Sequence, residues 1–539
     1  MSDRLATGQG ISPSHQDFSL DQLSHPPLKQ GVDLLYLYGC DQEEVPTVMR
    51  WLSQHPESQL IILEDHPETY QTLLQYPPHP QIRLHFLGQA VEEELKKLIW
   101  SHLYLSFGFL ASSTKTDRWR KRTEWLYVLL LHLQQGIELT MCQYRDYGVI
   151  HAHNLFTNLL NVDKIKDGRS LQGTCRQIPA IICGAGPSLE KQLPLLRSLS
   201  HRAIMFGVGS ALNPLEEAGI ELHFGALLDP EPPPERFLRC RNFHLPIFYQ
   251  SQLSSTLFTR IHGERICMGE NDTYPLHRWF TSQLGIDLLP FEPGWNVLTF
   301  ALHIAHFLGC DPIIMTGMDG CVLHDQVYTP GAAHFDEHPR TKRVDNFPCL
   351  DRFGRKVLSR PDFLMGREWS TSFARDHPET LFVNATEGGL LFEGFKEDSL
   401  KSVCSKYLSK SWDLSSYVHS LLEQMHLYPL PPSSVRKKIE ELHESIQHVL
   451  SLCQTLLDRY RKDFSQPYLP ERYALQECEL EQEPSYRHIF LPLWKIWQPL
   501  LKEEAKKDET HPFGEAIQRV LFLQTLSHSY SDVTKRFLC

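Results

Sequence analysis

The sequence predicts an α/β protein. A central, doubly wound Rossmann-like domain should be joined to a smaller N-terminal α/β domain and to a C-terminal all-helical domain. Short apolar runs alternate with helical patterns through most of the first 400 residues, which is typical of parallel sheets. Several of these runs end in glycine and polar residues, as strands do where they border a ligand crevice. After about Leu400 the strand signals stop and amphipathic helical patterns follow.

The first α/β domain is predicted over residues 29–110, after a polar leader at residues 1–28. The turn that follows its first strand, GCDQEE, holds one glycine and three carboxylates, which would repel a phosphate. We therefore expect this domain to serve assembly or acceptor binding. Its predicted strands are Val32–Tyr38, Gln59–Leu63 and Gln81–Leu87, and its predicted helices are Val45–Gln54 and Pro67–Gln75.

Residues 111–176 are predicted to form a helical connector. Their most apolar stretch, Trp125–Leu133, is nine residues long, and roughly 20 are needed to cross a bilayer. We therefore expect a buried helix and no stable membrane insertion. The leader has no apolar signal region, and the 13 cysteines are scattered without metal-type spacing. These features predict a cytoplasmic chain with free thiols.

The central domain is predicted over residues 177–400 and the helical domain over residues 401–539. A stretch around Val322–Pro361, rich in His, Asp, Arg and Pro, is predicted to be a long irregular insertion. The predicted central strands are Ala180–Cys183, Ala203–Val208, Phe224–Leu228, Pro246–Tyr249, Pro312–Thr316 and Leu381–Val383. The predicted helices are Ser188–Ser198, Ala211–Ala218, Asn296–Phe307, Val435–Arg461, Ser485–Lys507 and Phe513–Leu538.

The sharpest motif is ICGAGPSL, which lies directly between a predicted strand and a predicted helix. Gly184 and Gly186 permit a tight turn, and Pro187 suits a first helical turn. Ser188 adds a hydroxyl beside the free N–H groups of the helix start, an arrangement suited to phosphate. The third glycine of the dinucleotide fingerprint and the lysine of a Walker A loop are both missing. A nucleotide site and a purely structural turn both remain open.

Four further strand ends carry glycine or polar residues: FGVGSALNPL, LLDPEP, IIMTGMDG and VNATEGGLLFEG. Because the carboxyl ends of parallel strands meet at one edge of a sheet, they predict a single ligand crevice. The predicted nucleotide- or donor-binding residues are Gly184, Ala185, Gly186, Pro187, Ser188, Leu189, Gly209, Ser210, Asp229, Gly317, Asp319, Asn384 and Thr386.

These motifs resemble those of the motility-associated-factor (Maf) flagellin glycosyltransferases, whose central domain belongs to a wider family with archaeal 6-hydroxymethylpterin diphosphokinases. The resemblance covers roughly residues 177–395, and more weakly LLYLYGCD and LIILEDHPETY. It implies a sialyltransferase-like central fold. It also implies transfer of a nonulosonic, sialic-acid-like sugar from a CMP-activated donor to Ser or Thr of an acceptor protein.

The implied reaction needs a base for the acceptor hydroxyl. His334, in TPGAAHFDE, is the first choice because an imidazole titrates near neutrality, and Glu387 is the second. Two other functions remain open. One is an ATP-dependent diphosphokinase, in which Asp229 and Asp319 would bind Mg²⁺, and the other is a non-catalytic nucleotide-binding protein. No metal or cofactor is predicted outside the Mg²⁺-dependent alternative.

The charge balance limits the partners. Lys and Arg number 53 against 65 Asp and Glu, which gives a net charge of −12. This acidic balance is unlike that of a nucleic-acid binder, so we predict a CMP-activated sugar or another nucleotide as ligand and no nucleic acid. An anionic donor must then be held by helix N-termini and a few local cations.

Overall fold

The computed structural model describes residues 33–40, 43–103, 105, 107–112, 120–232, 237, 242–269, 275–285, 291–332, 347–427, 430–462, 471–505 and 514–538. The chain divides into two compact units, Met1–Cys142 and Gln143–Cys539. The helix Arg120–Leu159 contributes residues to both units. None of the described helices is long and apolar enough to span a bilayer.

The first unit is built on a four-stranded parallel sheet. Its strands are β1 (Leu34–Tyr38), β2 (Gln59–Glu64), β3 (Ile82–Phe86) and β4 (Phe107–Ala111), and its helices are α1 (Val45–Gln54), α2 (Pro67–Leu73) and α3 (Val91–Trp100). The strand order is β3-β2-β1-β4. In α1 the buried residues Val48, Trp51 and Leu52 share one face, which packs with alternate strand residues such as Leu35 and Leu37 in the core.

The second unit is built on a nine-stranded sheet. After α4 (Arg120–Leu159), its strands are β5 (Ile165–Asp167), β6 (Ala180–Cys183), β7 (Ile204–Val208), β8 (Phe224–Ala226), β9 (Ile247–Tyr249), β10 (Arg265–Cys267), β11 (Ile313–Thr316), β14 (Phe382–Asn384) and β15 (Lys396–Glu397). A separate antiparallel hairpin pairs β12 (Phe347–Leu350) with β13 (Lys356–Ser359).

The strand order of the large sheet is β15-β14-β11-β6-β7-β8-β9-β10-β5, and its strand pairs are parallel. From β6 the chain proceeds to β7 on one side and later returns to β11 on the other side. The order therefore reverses between β6 and β11. In open α/β sheets, ligands bind outside the carboxyl ends of the strands at such a switch point.

Helices cover both faces of this sheet, so its strands are apolar on both sides. Alternate residues divide between two cores: Ile181 and Met205 belong to one, and Ile182 and Phe206 to the other. The helices that precede the C-terminal bundle are α5 (Leu189–Leu196), α6 (Leu212–Glu217), α7 (Ser255–Arg260), α8 (Pro275–Gln283), α9 (Val297–Phe307), α10 (Pro361–Asp376), α11 (Leu400–Tyr407) and α12 (Leu414–Gln424).

The C-terminal helices are α13 (Pro432–Lys462), α14 (Glu471–Gln482), α15 (Leu491–Ala505) and α16 (Gly514–Lys535), with a π-helical turn at Tyr486–Phe490. In α13 a stripe of buried residues recurs at helical spacing, including Val435, Ile439, Leu442 and Ile446. This stripe belongs to the same core as the sheet face that carries Ile181.

The predicted fold class is confirmed: two parallel α/β sheets precede a helical C-terminal region. Two local expectations were wrong. The segment predicted as a helical connector also supplies the edge strand β5, which is only three residues long and too short for a periodicity signal. The insertion predicted to be irregular contains the hairpin β12–β13, whose strands are four residues long and whose first strand includes Pro348, a residue that argues against a strand.

Candidate functional site

The candidate site lies at the carboxyl ends of β6 and β11, where the strand order reverses. Cys183 and Thr316 end these two strands as direct neighbours in the parallel register. Beyond them the two loops continue to hydrogen-bond. The amide of Gly184 donates to the carbonyl of Thr316 over 2.8 Å, and the amide of Gly186 donates to the carbonyl of Gly317 over 2.8 Å. The GAGPSL and TGMDG segments therefore form one structure.

The glycines of these loops are required by contacts between the loops themselves. A Cβ atom on Gly184 would lie 2.6 Å from the carbonyl oxygen of Gly317, and one on Gly186 would lie 2.1 Å from Oδ2 of Asp319. Gly317 has a φ of +61° and would place a Cβ 2.3 Å from the carbonyl oxygen of Gly184. The glycine pattern thus reports close packing of two strand ends, which a ligand-binding loop and a structural turn have in common.

The side chain of Asp319 lies at the N-terminus of α5, although Asp319 itself belongs to the loop after β11. Its side chain is buried, and its Oδ2 accepts hydrogen bonds from the amide of Ser188 at 3.0 Å and from the hydroxyl of Ser188 at 2.8 Å. A helix N-terminus favours a negative charge, and here the charge is the protein's own carboxylate. The Ser188 amide, predicted to bind a phosphate, is already engaged by Asp319.

The second carboxylate oxygen of Asp319, Oδ1, is also buried and has no hydrogen-bond partner among the described residues. Burial raises the pKa of Asp319, while the hydrogen bonds from Ser188 and the charge of Lys191 oppose that rise. A Cβ atom on Gly388 would lie 3.0 Å from Oδ1. A buried acceptor without a donor is costly unless a ligand, a cation or water completes it, which makes Oδ1 a candidate ligand contact.

Asn384 and Thr386 brace this arrangement from β14. The hydroxyl of Thr386 accepts from the amide of Met318 at 3.2 Å, and Oδ1 of Asn384 accepts from the amide of Thr386 at 3.1 Å. Asn384 also donates to Glu397 at 2.9 Å. Both side chains are buried. Thr386 positions the TGMDG loop through Met318, and Asn384 positions Thr386.

Glu387 follows directly and has a backbone φ of +60°. Its Oε1 accepts from the amide of Leu400, at the start of α11, over 3.1 Å. Its carbonyl accepts from Nζ of Lys191 at 3.0 Å. Oε1 of Glu387 is therefore held at the start of α11.

The remaining predicted residues are placed as follows. Gly209, with a φ of +49°, and the half-buried Ser210 follow β7, and Asp229 comes three residues after β8. These positions lie on the side of β6 opposite β11. Near the motif, the carbonyl of Ala185 accepts from Thr329 at 2.8 Å. Pro187 is half-buried, Leu189 lies in the core, and His334 lies outside the described residues.

Two polar residues of α5 were missed at the sequence level. Gln192 is buried and donates to the carbonyls of Ala385 and Thr386. Lys191 is exposed, and its charge acts on Asp319. Both lie in the first turn after the glycine loop. A lysine and a glutamine at this position could have been predicted as site residues from the sequence. They add a cation and an amide link between α5 and the β14 loop.

Residues 153–325 match a family model described as 6-hydroxymethylpterin diphosphokinase MptE-like. No curated protein matches the chain. The chain resembles the solved structure of the MAf glycosyltransferase from Magnetospirillum magneticum AMB-1 with a TM-score of 0.51, 14% identity and coverage of 100% of this chain and 84% of that chain. At this identity the likeness concerns the fold, and the predicted resemblance is confirmed at that level.

Proposed function

We propose that this protein is a glycosyltransferase that transfers a nonulosonic sugar from a CMP-activated donor to a Ser or Thr hydroxyl of an acceptor protein. The fold likeness to a MAf glycosyltransferase supports the class of reaction. The donor would bind at the switch point between β6 and β11, where the glycine loops meet. The cytoplasm is the proposed compartment, because the cysteines with described side chains are free thiols.

The observation that carries this proposal is the buried Oδ1 of Asp319, which has no hydrogen-bond partner in the described part of the chain. Ser188 fixes the carboxylate through Oδ2, which leaves Oδ1 as a preoriented acceptor for a hydroxyl or amino group of the donor. The phosphate of CMP would be held by Lys191, because the Ser188 amide is engaged. In this proposal Ser188 at the helix N-terminus holds Asp319, and Asp319 binds the donor.

In the proposed reaction, the acceptor hydroxyl oxygen forms a bond to the anomeric carbon of the sugar. The bond from that carbon to the phosphate oxygen breaks, and CMP leaves with the electron pair. A base takes the hydroxyl proton. His334 is the first choice for this base because an imidazole titrates near neutrality, and Glu387 is the second choice.

Thermal unfolding with CMP, CDP, ATP and GTP, each with and without Mg²⁺, tests the donor. We expect CMP to stabilise the protein without metal, since a ligand at about 100 times its Kd adds about 2.7 kcal/mol. Asp319→Asn should lose this stabilisation. Asp325→Asn, which alters an exposed carboxylate beyond the same strand, should keep it. A CMP response that survives in Asp319→Asn would contradict the assignment of Asp319.

The match of residues 153–325 to the MptE-like family model favours a second candidate, an ATP-dependent diphosphokinase. Oδ1 of Asp319 could then bind Mg²⁺, with Asp229 as the second predicted ligand, since Mg²⁺ is held by one or two carboxylates beside substrate phosphates. Stabilisation by ATP only in the presence of Mg²⁺ would favour this reaction. Stabilisation by a nucleotide without any transfer activity would favour a binding protein.

A further inference from the structure

A cluster of two histidines and one glutamate lies at the amino ends of β11 and β14 in the nine-stranded sheet, away from the candidate site. His306 is in the last turn of α9, before β11, and His377 and Glu379 lie between α10 and β14. Because β11 and β14 are parallel neighbours, the cluster is at their amino ends, while the candidate site is at their carboxyl ends. We propose that His306, His377 and Glu379 bind a divalent transition-metal ion, with Zn²⁺ as the first choice.

The two contacts of Glu379 with the histidines are hydrogen bonds whose length also matches the spacing of two ligands of one metal ion. Oε1 of Glu379 lies 3.3 Å from Nε2 of His306 and 3.3 Å from Nδ1 of His377. The three ligand atoms lie within 4.8 Å of one another. In a tetrahedral site with bonds of about 2.0–2.1 Å, two ligand atoms are about 3.3–3.4 Å apart. One carboxylate oxygen is thus placed at the same ligand-to-ligand spacing from two imidazole nitrogens.

The protonation states also suit a metal. Burial and the neighbouring His377 lower the pKa of His306, which favours the neutral imidazole that binds metals. A hydrogen bond from its own backbone and contacts with the two histidines lower the pKa of Glu379, which keeps it a carboxylate. Both histidines lie at helix C-termini, where partial negative charge favours a cation.

The surroundings of the cluster predict a three-ligand site with one open position. The side chains of His306 and His377 are partly covered, while that of Glu379 is 64% exposed. Solvent can therefore supply the fourth ligand from the Glu379 side. A bound ion would link the end of α9 to the turn that leads into β14, so its expected effect is stabilisation of the second unit.

Metal titration of the full-length protein tests this site. The protein is stripped with chelator and titrated with Zn²⁺ by calorimetry and with Co²⁺ by visible absorption, where tetrahedral Co²⁺ gives intense bands. His306→Gln, His377→Gln and Glu379→Gln should each weaken binding by more than about 100-fold, since loss of an outer-shell partner alone costs about 10–100-fold. Zn²⁺ should raise the Tm of the wild type and leave that of these variants unchanged.

His419→Gln is the matched control, because His419 forms an exposed pair with Glu423 at 3.2 Å. This variant should keep wild-type affinity and the Co²⁺ spectrum. With 28 histidines in the chain, weak binding elsewhere is expected, so the difference between variants decides. Equal binding by Glu379→Gln and the wild type, equal loss in His419→Gln, or no saturable one-to-one binding by the wild type would each overturn the proposal.

Discussion

Asp319 shows how a residue can change the meaning of a motif. The GAGPSL turn has the glycines, proline and serine of an anion site, and an anion does bind there. It is the Asp319 carboxylate, which lies 131 residues away in sequence and is held by both polar donors of Ser188. The loop therefore holds the Asp319 carboxylate at the switch point through Oδ2, and Oδ1 has no hydrogen-bond partner among the described residues.

Gly186→Ala tests how tightly this carboxylate is packed. The new Cβ would lie 2.1 Å from Oδ2 of Asp319 and 2.7 Å from the carbonyl oxygen of Gly317. Because the loop is fixed by backbone hydrogen bonds, we expect a loss of about 1–3 kcal/mol in the free energy of unfolding, measured in urea. The nucleotide response should be lost with it.

Gly514→Ala is the control for that substitution. No described residue lies within 4 Å of a Cβ on Gly514, which is the first residue of α16. Alanine is the better helix former, so the free energy of unfolding should stay equal or rise slightly. Equal stability of Gly186→Ala and the wild type would mean that the Asp319 loop is looser than the structure shows.

His223 makes stability depend on pH. It is buried, the amide of Met205 donates to its Nδ1 at 2.9 Å, and burial lowers its pKa to about 4. Between pH 6.5 and about 4, His223 is protonated in the unfolded chain and neutral in the folded chain. Stability is therefore complete above pH 6.5 and falls as the pH drops, by at most about 1.4 kcal/mol per pH unit for this one group.

The comparison of His223→Asn with the wild type isolates this effect. The Asn Oδ1 can accept from Met205 without titrating, so we expect a shallower loss of stability between pH 6.5 and 4 in urea unfolding. The exposed His324 has a φ of +49°, which Asn tolerates, so His324→Asn is a suitable control and should keep the wild-type slope. Parallel pH profiles for His223→Asn and the wild type would contradict the assignment.

At the scale of elements, α9 begins beside the carboxyl ends of β6 and β7 and carries His306, one of the three proposed metal ligands, in its last turn. Oδ1 of Asn296 accepts from the amides of Leu298 and Thr299 at 3.0 Å each, and Oγ1 of Thr299 accepts from the amide of Asn296 at 3.0 Å. This capping box satisfies donors at the helix start. It also fixes Val297, which lies against Gly209 at the end of β7.

Asn296→Ala should therefore cost about 0.5–2 kcal/mol in the free energy of unfolding, measured by chemical denaturation. Asn296→Asp keeps the acceptor and should stay close to the wild type. If alanine and aspartate behaved alike, side-chain capping would not be the source of stability. A weaker nucleotide response in the alanine variant alone would show that the start of α9 supports the neighbouring strand ends.

The strands and the site differ in how far sequence could predict them. Ala180–Cys183 was predicted with its observed bounds because a buried parallel strand is a continuous apolar run bounded by turn residues. The contact of Ser188 with Asp319 could not be predicted, because each residue alone also fits a ligand site. The hydrogen bond from the amide of Leu400 to Glu387 could not be predicted either, because it also joins residues that are distant in sequence. Local patterns identify strand ends, and only tertiary contacts show which side chains remain available.

At the scale of the whole molecule, each compact unit has a core of its own. The first contains residues such as Leu35 and Trp51, and the second contains two cores, one on each face of the nine-stranded sheet. Residues 143–159 of α4 belong to the second unit and contribute Leu155 and Phe156 to its core. The candidate site and the metal cluster both lie in this unit.

A chain of residues 143–539 should consequently fold without the first unit, since a domain with its own core unfolds cooperatively. Circular dichroism should show one cooperative thermal transition, within a few degrees of a transition of the full-length protein. The CMP response and the Zn²⁺ stoichiometry should also be unchanged. A broad, non-cooperative transition would show that the first unit is needed for folding of the second. A cooperative transition without a CMP response would contradict the placement of the donor site within residues 143–539.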